Sequence, residues 1–205
     1  MNKFILTALL VVSIASCVTS QEPKLEVLFE APDFSLQNCT GEDLTKNDLL
    51  DHIWLVDFIF TRCGGPCPLM TQRMKSLQEA LIEEGLVDPP LSVRLVSVSV
   101  DPGYDTPEIL SEYASNWGAQ LESWFFLTGP PESTLKLIRQ GFKIAAEREG
   151  SGGETGGMDM PDIVHSTNFL LVDQRGWVRR IYHLDDPNLE DEVIAGIKLL
   201  ASDRN

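Results

Sequence analysis

The chain has 205 residues, a length that suits one ordinary domain with a hydrophobic core. Its composition, with 43% hydrophobic and 23% charged residues, is globular rather than disordered or fibrous. The formal net charge of −15 argues strongly against a nucleic-acid partner, because binding to phosphates needs a basic surface.

The first sixteen residues have the features of an export signal. Lys3 supplies a positive start, and residues 4–15 form an apolar run that is too short to span a bilayer. The run ends in IASC, which resembles the bacterial lipobox and implies cleavage before Cys17 and lipidation of its sulfur. The alternatives are an ordinary cleaved signal and an uncleaved anchor.

This reading predicts three parts. Residues 1–16 are the signal peptide, residues 17–30 are a lipid-anchored tether, and residues 31–203 are the folded domain. We expect a membrane-anchored lipoprotein of the cell envelope, with its domain on the periplasmic side.

Apolar runs and helical patterns alternate in the first half of the domain. The run IWLVDFIF over residues 53–60 predicts a strand that is buried on both faces. From Pro68 the apolar residues follow a helical period that ends at Gly85, and residues 91–100 predict a second buried strand. The next helix is predicted to begin at Thr106-Pro107, because threonine is a good N-cap and proline suits the first turn.

The second half continues this alternation and then changes to a hairpin. SWFFLT predicts a third strand, Pro130-Pro131-Glu132 opens a third helix, and strand-like FKIAAE leads into a glycine-rich loop at residues 148–162. VHSTNFLLVD and WVRRIY predict two strands joined by a turn at residues 174–176, before a last helix. The sequence therefore predicts an α/β fold with a mixed central sheet and helices on both faces.

Cys63 and Cys67 stand where the first long strand gives way to the first helix. This junction is the carboxyl end of a central strand, where open α/β sheets place their sites. We expect Gly64 and Gly65 to allow a tight turn, and the helix N-terminus to lower the pKa of at least one thiol.

The spacing of the two cysteines leaves their role open. Thioredoxin-type redox pairs have two residues between the cysteines, whereas this pair has three. The longer loop permits a disulfide and also lets two thiolates converge on one soft metal ion, which then needs a third ligand. His52 precedes the first long strand and so lies at its far end, and His183 is expected to be solvated. His165 opens a strand whose start can face the cysteine loop.

Three segments together resemble the Sco/SenC family. They are VDFIFTRCGGPCPLMT, VSVDPGYDTPEIL and IVHSTNFLLVDQRGWVRRIY, and the resemblance covers roughly residues 31–200. It implies a thioredoxin-like fold and a copper ion, Cu(I) or Cu(II), bound by Cys63, Cys67 and His165. It also implies a metallochaperone that helps to assemble the binuclear copper centre of cytochrome c oxidase.

The resemblance further implies that Cys63 and Cys67 can form a redox-active disulfide. The partners would be the copper-centre subunit of cytochrome c oxidase, other copper chaperones or thiol reductants, and the membrane. The alternatives are a thiol–disulfide reductase and a redox or copper sensor that use the same pair. The absence of a proline directly before His165 weakens a general oxidoreductase, so we expect a metallochaperone rather than an enzyme.

Four further residues are candidates of lower standing. Met158 and Met160 lie in the glycine-rich loop just before His165, and their thioethers are soft copper ligands. Asp101 and Asp105 match an acidic pair of the family, but the favoured explanation is local: Asp101 forms a turn and Asp105 helps to cap the next helix. Cys39 is interpreted as an incidental thiol outside the site.

Overall fold

The fold is taken from a computed structural model, which describes residues 24–143 and 167–203. Its strands in the described ranges are β1 (Phe29–Glu30), β2 (Ser35–Asn38), β3 (Asp43–Thr45), β4 (Trp54–Ile59), β5 (Arg94–Ser99), β6 (Trp124–Thr128), β7 (Asn168–Val172) and β8 (Trp177–His183). The helices there are α1 (Cys67–Glu83), α2 (Pro107–Trp117), α3 (Pro131–Lys136) and α4 (Leu189–Ser202). A 3-10 turn spans Lys46–Leu49, and a π-helical turn over Leu137–Gly141 extends α3.

All these strands form one mixed sheet in the order β1-β8-β7-β4-β5-β6-β2-β3. Strands β4, β5 and β6 are parallel, and every other pairing is antiparallel. The predicted mixed α/β sheet is confirmed, and so are its three central strands. Strands β1, β2 and β3 are absent from the prediction because they are short and carry polar residues that show no clear period.

The two faces of the sheet are covered by different elements. The rings of Trp54 and Phe58 on β4 pack edge-on against Phe142, which follows the π-helical turn. Helix α1 packs against both α2 and α4, and Met70, Met74, Leu77 and Leu81 on its apolar stripe are fully buried. Helix α2 begins as predicted, since the Thr106 hydroxyl caps the Ile109 N–H.

The segment before residue 31 is partly built into the sheet. Phe29 of β1 lies opposite Val178 of β8, and the Arg179 guanidinium donates hydrogen bonds to the carbonyls of Leu25 and Glu26. The folded part of the chain therefore begins before residue 31, within the stretch predicted to be a tether. In the described ranges, no helix combines the length and the apolar character that crossing a bilayer requires.

Candidate metal centre

The two cysteines meet at the junction between β4 and α1, as the sequence predicts. Cys63 lies in the connecting loop with 9% of its surface exposed, and Cys67 is the first residue of α1 with 3% exposed. Both are free thiols, and the Gly65 N–H donates to Cys63 Sγ at 3.4 Å. Neither Gly64 nor Gly65 adopts a positive φ, so the turn itself does not require glycine.

The Cys67 thiol is less acidic than the sequence predicts. Burial raises its pKa well above the ordinary value, and its hydrogen bond with the Cys63 thiol raises it further. A backbone hydrogen bond at Phe60 offsets only part of this effect. The helix N-terminus therefore does not lower the pKa of Cys67, because loss of hydration outweighs the field of the helix. That at least one of the two thiols has a lowered pKa stays a prediction.

Asp57 is a buried acid beneath this junction that the sequence analysis did not single out. It lies on β4 with no exposed surface, and burial raises its pKa to about 7. The Ser97 hydroxyl offsets this only in part, and neither carboxyl oxygen has a hydrogen bond of good geometry within the described residues. The charge of Asp57 also raises the pKa of Cys67. A single carboxylate inside the apolar run IWLVDFIF is the signal that could have revealed it.

Thr71 and Tyr113 support the first turn of α1. The Thr71 hydroxyl lies 2.9 Å from the Cys67 carbonyl oxygen, to which it donates, and 2.7 Å from the Tyr113 hydroxyl on α2. Burial, followed by the charges of Asp57 and Cys67, raises the pKa of Tyr113 to about 12, so its phenol stays neutral. The end of α1 that carries Cys67 is thus fixed to the neighbouring helix.

Strand β7 begins beside the end of β4 that leads into the cysteine loop. Val56 lies opposite Leu170 in an antiparallel register, and two more residues along this register bring Asn168 to the carboxyl end of β4. His165 stands three residues before Asn168 and lies outside the described residues. The sheet has the predicted layout at this edge, and the position of the His165 imidazole stays a prediction.

The other two histidines occupy opposite ends of the sheet. His52 precedes β4, and its Nδ1 lies 2.9 Å from the Ser92 carbonyl oxygen, far along the strand from the cysteines. His183 ends β8 opposite Asn168, is exposed, and therefore lies at the same edge as the cysteine loop. Its solvated state agrees with the sequence analysis, which had not anticipated its position at this edge.

Asp101 and Asp105 reach the segment that precedes Cys63. Asp105 accepts hydrogen bonds from the Thr61 hydroxyl at 2.5 Å and from the Thr61 N–H, and Asp101 pairs with the Arg62 guanidinium at 2.7 Å. Asp105 does not cap α2, since Thr106 has that role, so this local explanation of Asp105 is wrong. The turn is formed by the Asp101 backbone, whose carbonyl accepts from the Tyr104 N–H.

The remaining candidates are either remote or lie outside the described residues. Cys39 is buried at the end of β2, where its N–H donates to the Phe126 carbonyl, and burial raises the pKa of its thiol. Cys17, Met158 and Met160 fall outside the described ranges. Within those ranges, no third histidine, cysteine or carboxylate joins a group that could hold a metal ion. The two adjacent soft sulfurs nevertheless fit a soft metal such as Cu(I).

Comparison with known proteins identifies close similarity over nearly the whole chain. A family model described as SCO1/SenC matches residues 24–202. The SCO1 protein homolog of Bacillus subtilis is 32% identical over 195 residues, which is 94% of this chain and 94% of the relative.

Solved structures agree in fold and in family. The structure of BsSco, described as a member of the Sco family of cytochrome c oxidase assembly proteins with a disulfide switch, is 30% identical with a TM-score of 0.71, covering 89% of this chain and 99% of that one. A SCO1/SenC family lipoprotein from Bacillus anthracis is 31% identical with a TM-score of 0.70, covering 84% and 95% of the two chains. ScoI of Bradyrhizobium japonicum, solved with copper bound, is 22% identical with a TM-score of 0.63 over 82% and 98%, and supports the fold alone. The predicted thioredoxin-like fold is confirmed.

Proposed function

The chain belongs to the SCO1/SenC family, and on this premise we propose that it is an exported copper metallochaperone for cytochrome c oxidase. The observation that carries the proposal is the convergence of two free thiols, Cys63 and Cys67, at the carboxyl end of β4. Proteins of this family take part in cytochrome c oxidase assembly, and homologues have been solved with copper bound. The cargo proposed here is copper for the binuclear centre of the oxidase.

The proposed copper ligands are Cys63, Cys67 and His165. Both sulfurs bind copper as thiolates, and because burial raises the pKa of Cys67, copper loading must release at least the proton of this thiol. The neutral imidazole of His165 supplies the third donor. Formation of the Cys63–Cys67 disulfide would remove two of the three ligands, which couples copper loading to the redox state of the pair.

The proposed cellular setting follows from the N-terminal sequence. Lipidation of Cys17 would anchor the domain to the membrane on the periplasmic side, where it meets the copper-centre subunit of the oxidase and other copper chaperones or thiol reductants. A similar protein from Bacillus anthracis is described as a lipoprotein, which supports this reading. Mass spectrometry of the membrane-extracted chain should find an acylated Cys17 at the N-terminus, and an unmodified N-terminus elsewhere would reject it.

The competing function uses the same pair of thiols. A thiol–disulfide reductase would attack a partner disulfide with one cysteine and resolve the mixed disulfide with the other, whereas a sensor would only report the state of the pair. The closeness of the two thiols, which raises the pKa of Cys67, serves either chemistry. Chaperone and reductase therefore have to be separated by measurement.

The deciding experiment titrates the reduced full-length chain with Cu(I) in the presence of a competing chelator. We expect Cys63→Ala and Cys67→Ala each to abolish tight binding, and His165→Ala to weaken it by orders of magnitude while the disulfide still forms. Cys39→Ser and His52→Ala are matched controls, because Cys39 and His52 lie away from the junction.

His183→Ala completes the set, since His183 lies at the same edge of the sheet as the cysteine loop. If His183→Ala weakens copper binding and His165→Ala does not, the proposed ligand set is wrong. If His165→Ala binds copper like the wild type while the protein reduces a partner disulfide efficiently, the metallochaperone function fails and the reductase takes its place. Replacing Met158 and Met160 together by Leu should alter copper loading without abolishing it.

A further inference from the structure

The short segment between β4 and Cys63 is held by the loop that follows β5. Asp105, which is fully buried, accepts hydrogen bonds from the Thr61 hydroxyl at 2.5 Å and from the Thr61 N–H at 3.3 Å and 3.4 Å. The same carboxylate accepts a hydrogen bond from the Ser99 hydroxyl at 2.5 Å. One side chain therefore links the end of β5 to the residue that stands two positions before Cys63.

Asp101 secures the next residue along this segment. Its carboxylate pairs with Arg62 Nε at 2.7 Å, and the Arg62 guanidinium lies over the Tyr104 ring at 4.6 Å from its centre. The Asp101 N–H in turn donates to the Ser99 hydroxyl oxygen at 3.0 Å. Both residues between Phe60 and Cys63 are thus held by side chains of residues 101–105, and not by a strand.

We propose that Asp105 is a positioning residue for Cys63, and that it sets where the Cys63 sulfur lies relative to the Cys67 sulfur. Cys67 is already fixed by α1, since its carbonyl accepts from the Thr71 hydroxyl. Cys63 lies in a loop, and its N–H contacts only the nearby Phe60 carbonyl at 3.2 Å among the backbone groups described. The separation of the sulfurs therefore depends on how the residues before Cys63 are held.

The chemistry of the pair is sensitive to this separation. A metal ion held by two thiolates, and a disulfide between them, both need the sulfurs in a narrow range of distance and direction. Replacing a residue that orients a metal ligand without binding the metal itself usually changes metal affinity by about 10-fold to 100-fold. The expected effect on copper affinity rests on the proposed function, whereas the expected effect on the Cys63–Cys67 disulfide does not.

The test compares Asp105→Asn with Thr61→Val in the full-length chain. Asp105→Asn keeps the shape of the side chain and loses its charge, and Thr61→Val removes the hydroxyl that donates the 2.5 Å bond. We expect each variant to lower Cu(I) affinity by about tenfold or more, and Thr61→Ser to retain the wild-type value. Because the two residues form one contact, the double variant should lose less than the sum of the single losses.

The second readout is equilibration of the pair with reduced and oxidised glutathione. Two protein thiols and one glutathione disulfide give the Cys63–Cys67 disulfide and two glutathione thiols. We expect the equilibrium constant to fall by about tenfold in Asp105→Asn, equivalent to about 30 mV. This readout needs no copper, so it remains informative if the chain proves not to bind copper.

Asp173→Asn is the matched control, because Asp173 is another buried carboxylate that holds a turn, at the opposite end of the sheet. It should lower the free energy of unfolding without changing copper affinity or the glutathione equilibrium. If Asp105→Asn and Thr61→Val lower stability alone and leave both readouts at the wild-type value, the positioning role is overturned. If the glutathione readout responds while neither wild type nor variant binds copper, the positioning role stands and the proposed copper function fails.

Discussion

The two ends of the central sheet differ in one buried carboxylate, since Asp57 near the cysteines lacks the partners that Asp173 has at the opposite end. At the end away from the cysteines, Asp173 accepts hydrogen bonds from the N–H groups of Arg175 and Trp177 and an ion pair from Arg179 at 2.7 Å. At the cysteine end, Asp101 pairs with Arg62, whereas Asp105 has hydrogen bonds but no ion pair with any described residue. Asp57 has neither an ion pair nor a well-formed hydrogen bond within the described residues.

This difference indicates that the end of the sheet with Asp173 contributes to stability, whereas the cysteine end is arranged for chemistry. A buried charge with complete partners rigidifies a turn, whereas a buried acid without partners costs stability and persists where the surrounding structure imposes it. The cysteine end also carries two buried thiols that are not joined in a disulfide. Local conflicts of this kind are expected at functional sites.

Replacing Asp57 should produce the largest change in the free energy of unfolding. Burial raises the pKa of Asp57 from the ordinary value of 3.8 to about 7 in the folded chain, so the native state binds more protons than the unfolded state between these values. The free energy of unfolding should therefore fall as pH rises from 4 to 7, by roughly 4 kcal/mol from this residue. Asp57→Asn should remove that part of the slope in denaturant titrations at several pH values.

The control for this measurement is Asp191→Asn, which changes an exposed acid on α4. Its pH profile should remain parallel to that of the wild type. An Asp57→Asn profile that also runs parallel to the wild type would show that the buried carboxyl is partnered in solution, and the contrast between the two ends would disappear.

Breaking the complete ion pair at the opposite end should have the next largest effect. Arg179→Met leaves Asp173 buried without its cation and frees the carbonyls of Leu25 and Glu26. We expect a loss of about 3 kcal/mol in the free energy of unfolding, with Cu(I) affinity unchanged. Arg175→Met, at an exposed neighbouring position, should change stability by less than about 0.5 kcal/mol. A loss of copper affinity in Arg179→Met would show that the two ends are coupled.

Two glycine substitutions, one at each end of the sheet, should have the smallest effects on stability. Gly176 has a φ of +80°, and a Cβ there would lie 2.9 Å from Lys46 Cε, so Gly176→Ala should cost about 1–2 kcal/mol of stability. In the cysteine loop, Gly64 has no positive φ, and a Cβ would meet no atom within 4 Å. Gly64→Ala should therefore stay within about 0.5 kcal/mol of the wild type in chemical denaturation. Equal losses would mean that the cysteine loop is more constrained than its contacts indicate.

The sequence by itself determined the centre of the fold and the place of the thiols. Strands β4 and β5 can be predicted from the sequence because burial on both faces requires continuous apolar runs. Helix α1 can be predicted because its apolar stripe repeats at helical spacing. These signals are local, and they put Cys63 and Cys67 at a strand–helix junction without any knowledge of the rest of the chain.

Tertiary structure alone decided which distant groups act on that junction. Asp105 meets Thr61 across 44 residues of chain, and β1 joins β8 from the other end of the sequence, so neither contact leaves a periodic signal. The direction of the Cys67 pKa shift likewise depends on burial, which outweighs the local helix field from which the opposite sign was expected. Periodicity reports how each segment meets the core, whereas hydrogen bonds and desolvation depend on which segments the fold brings together.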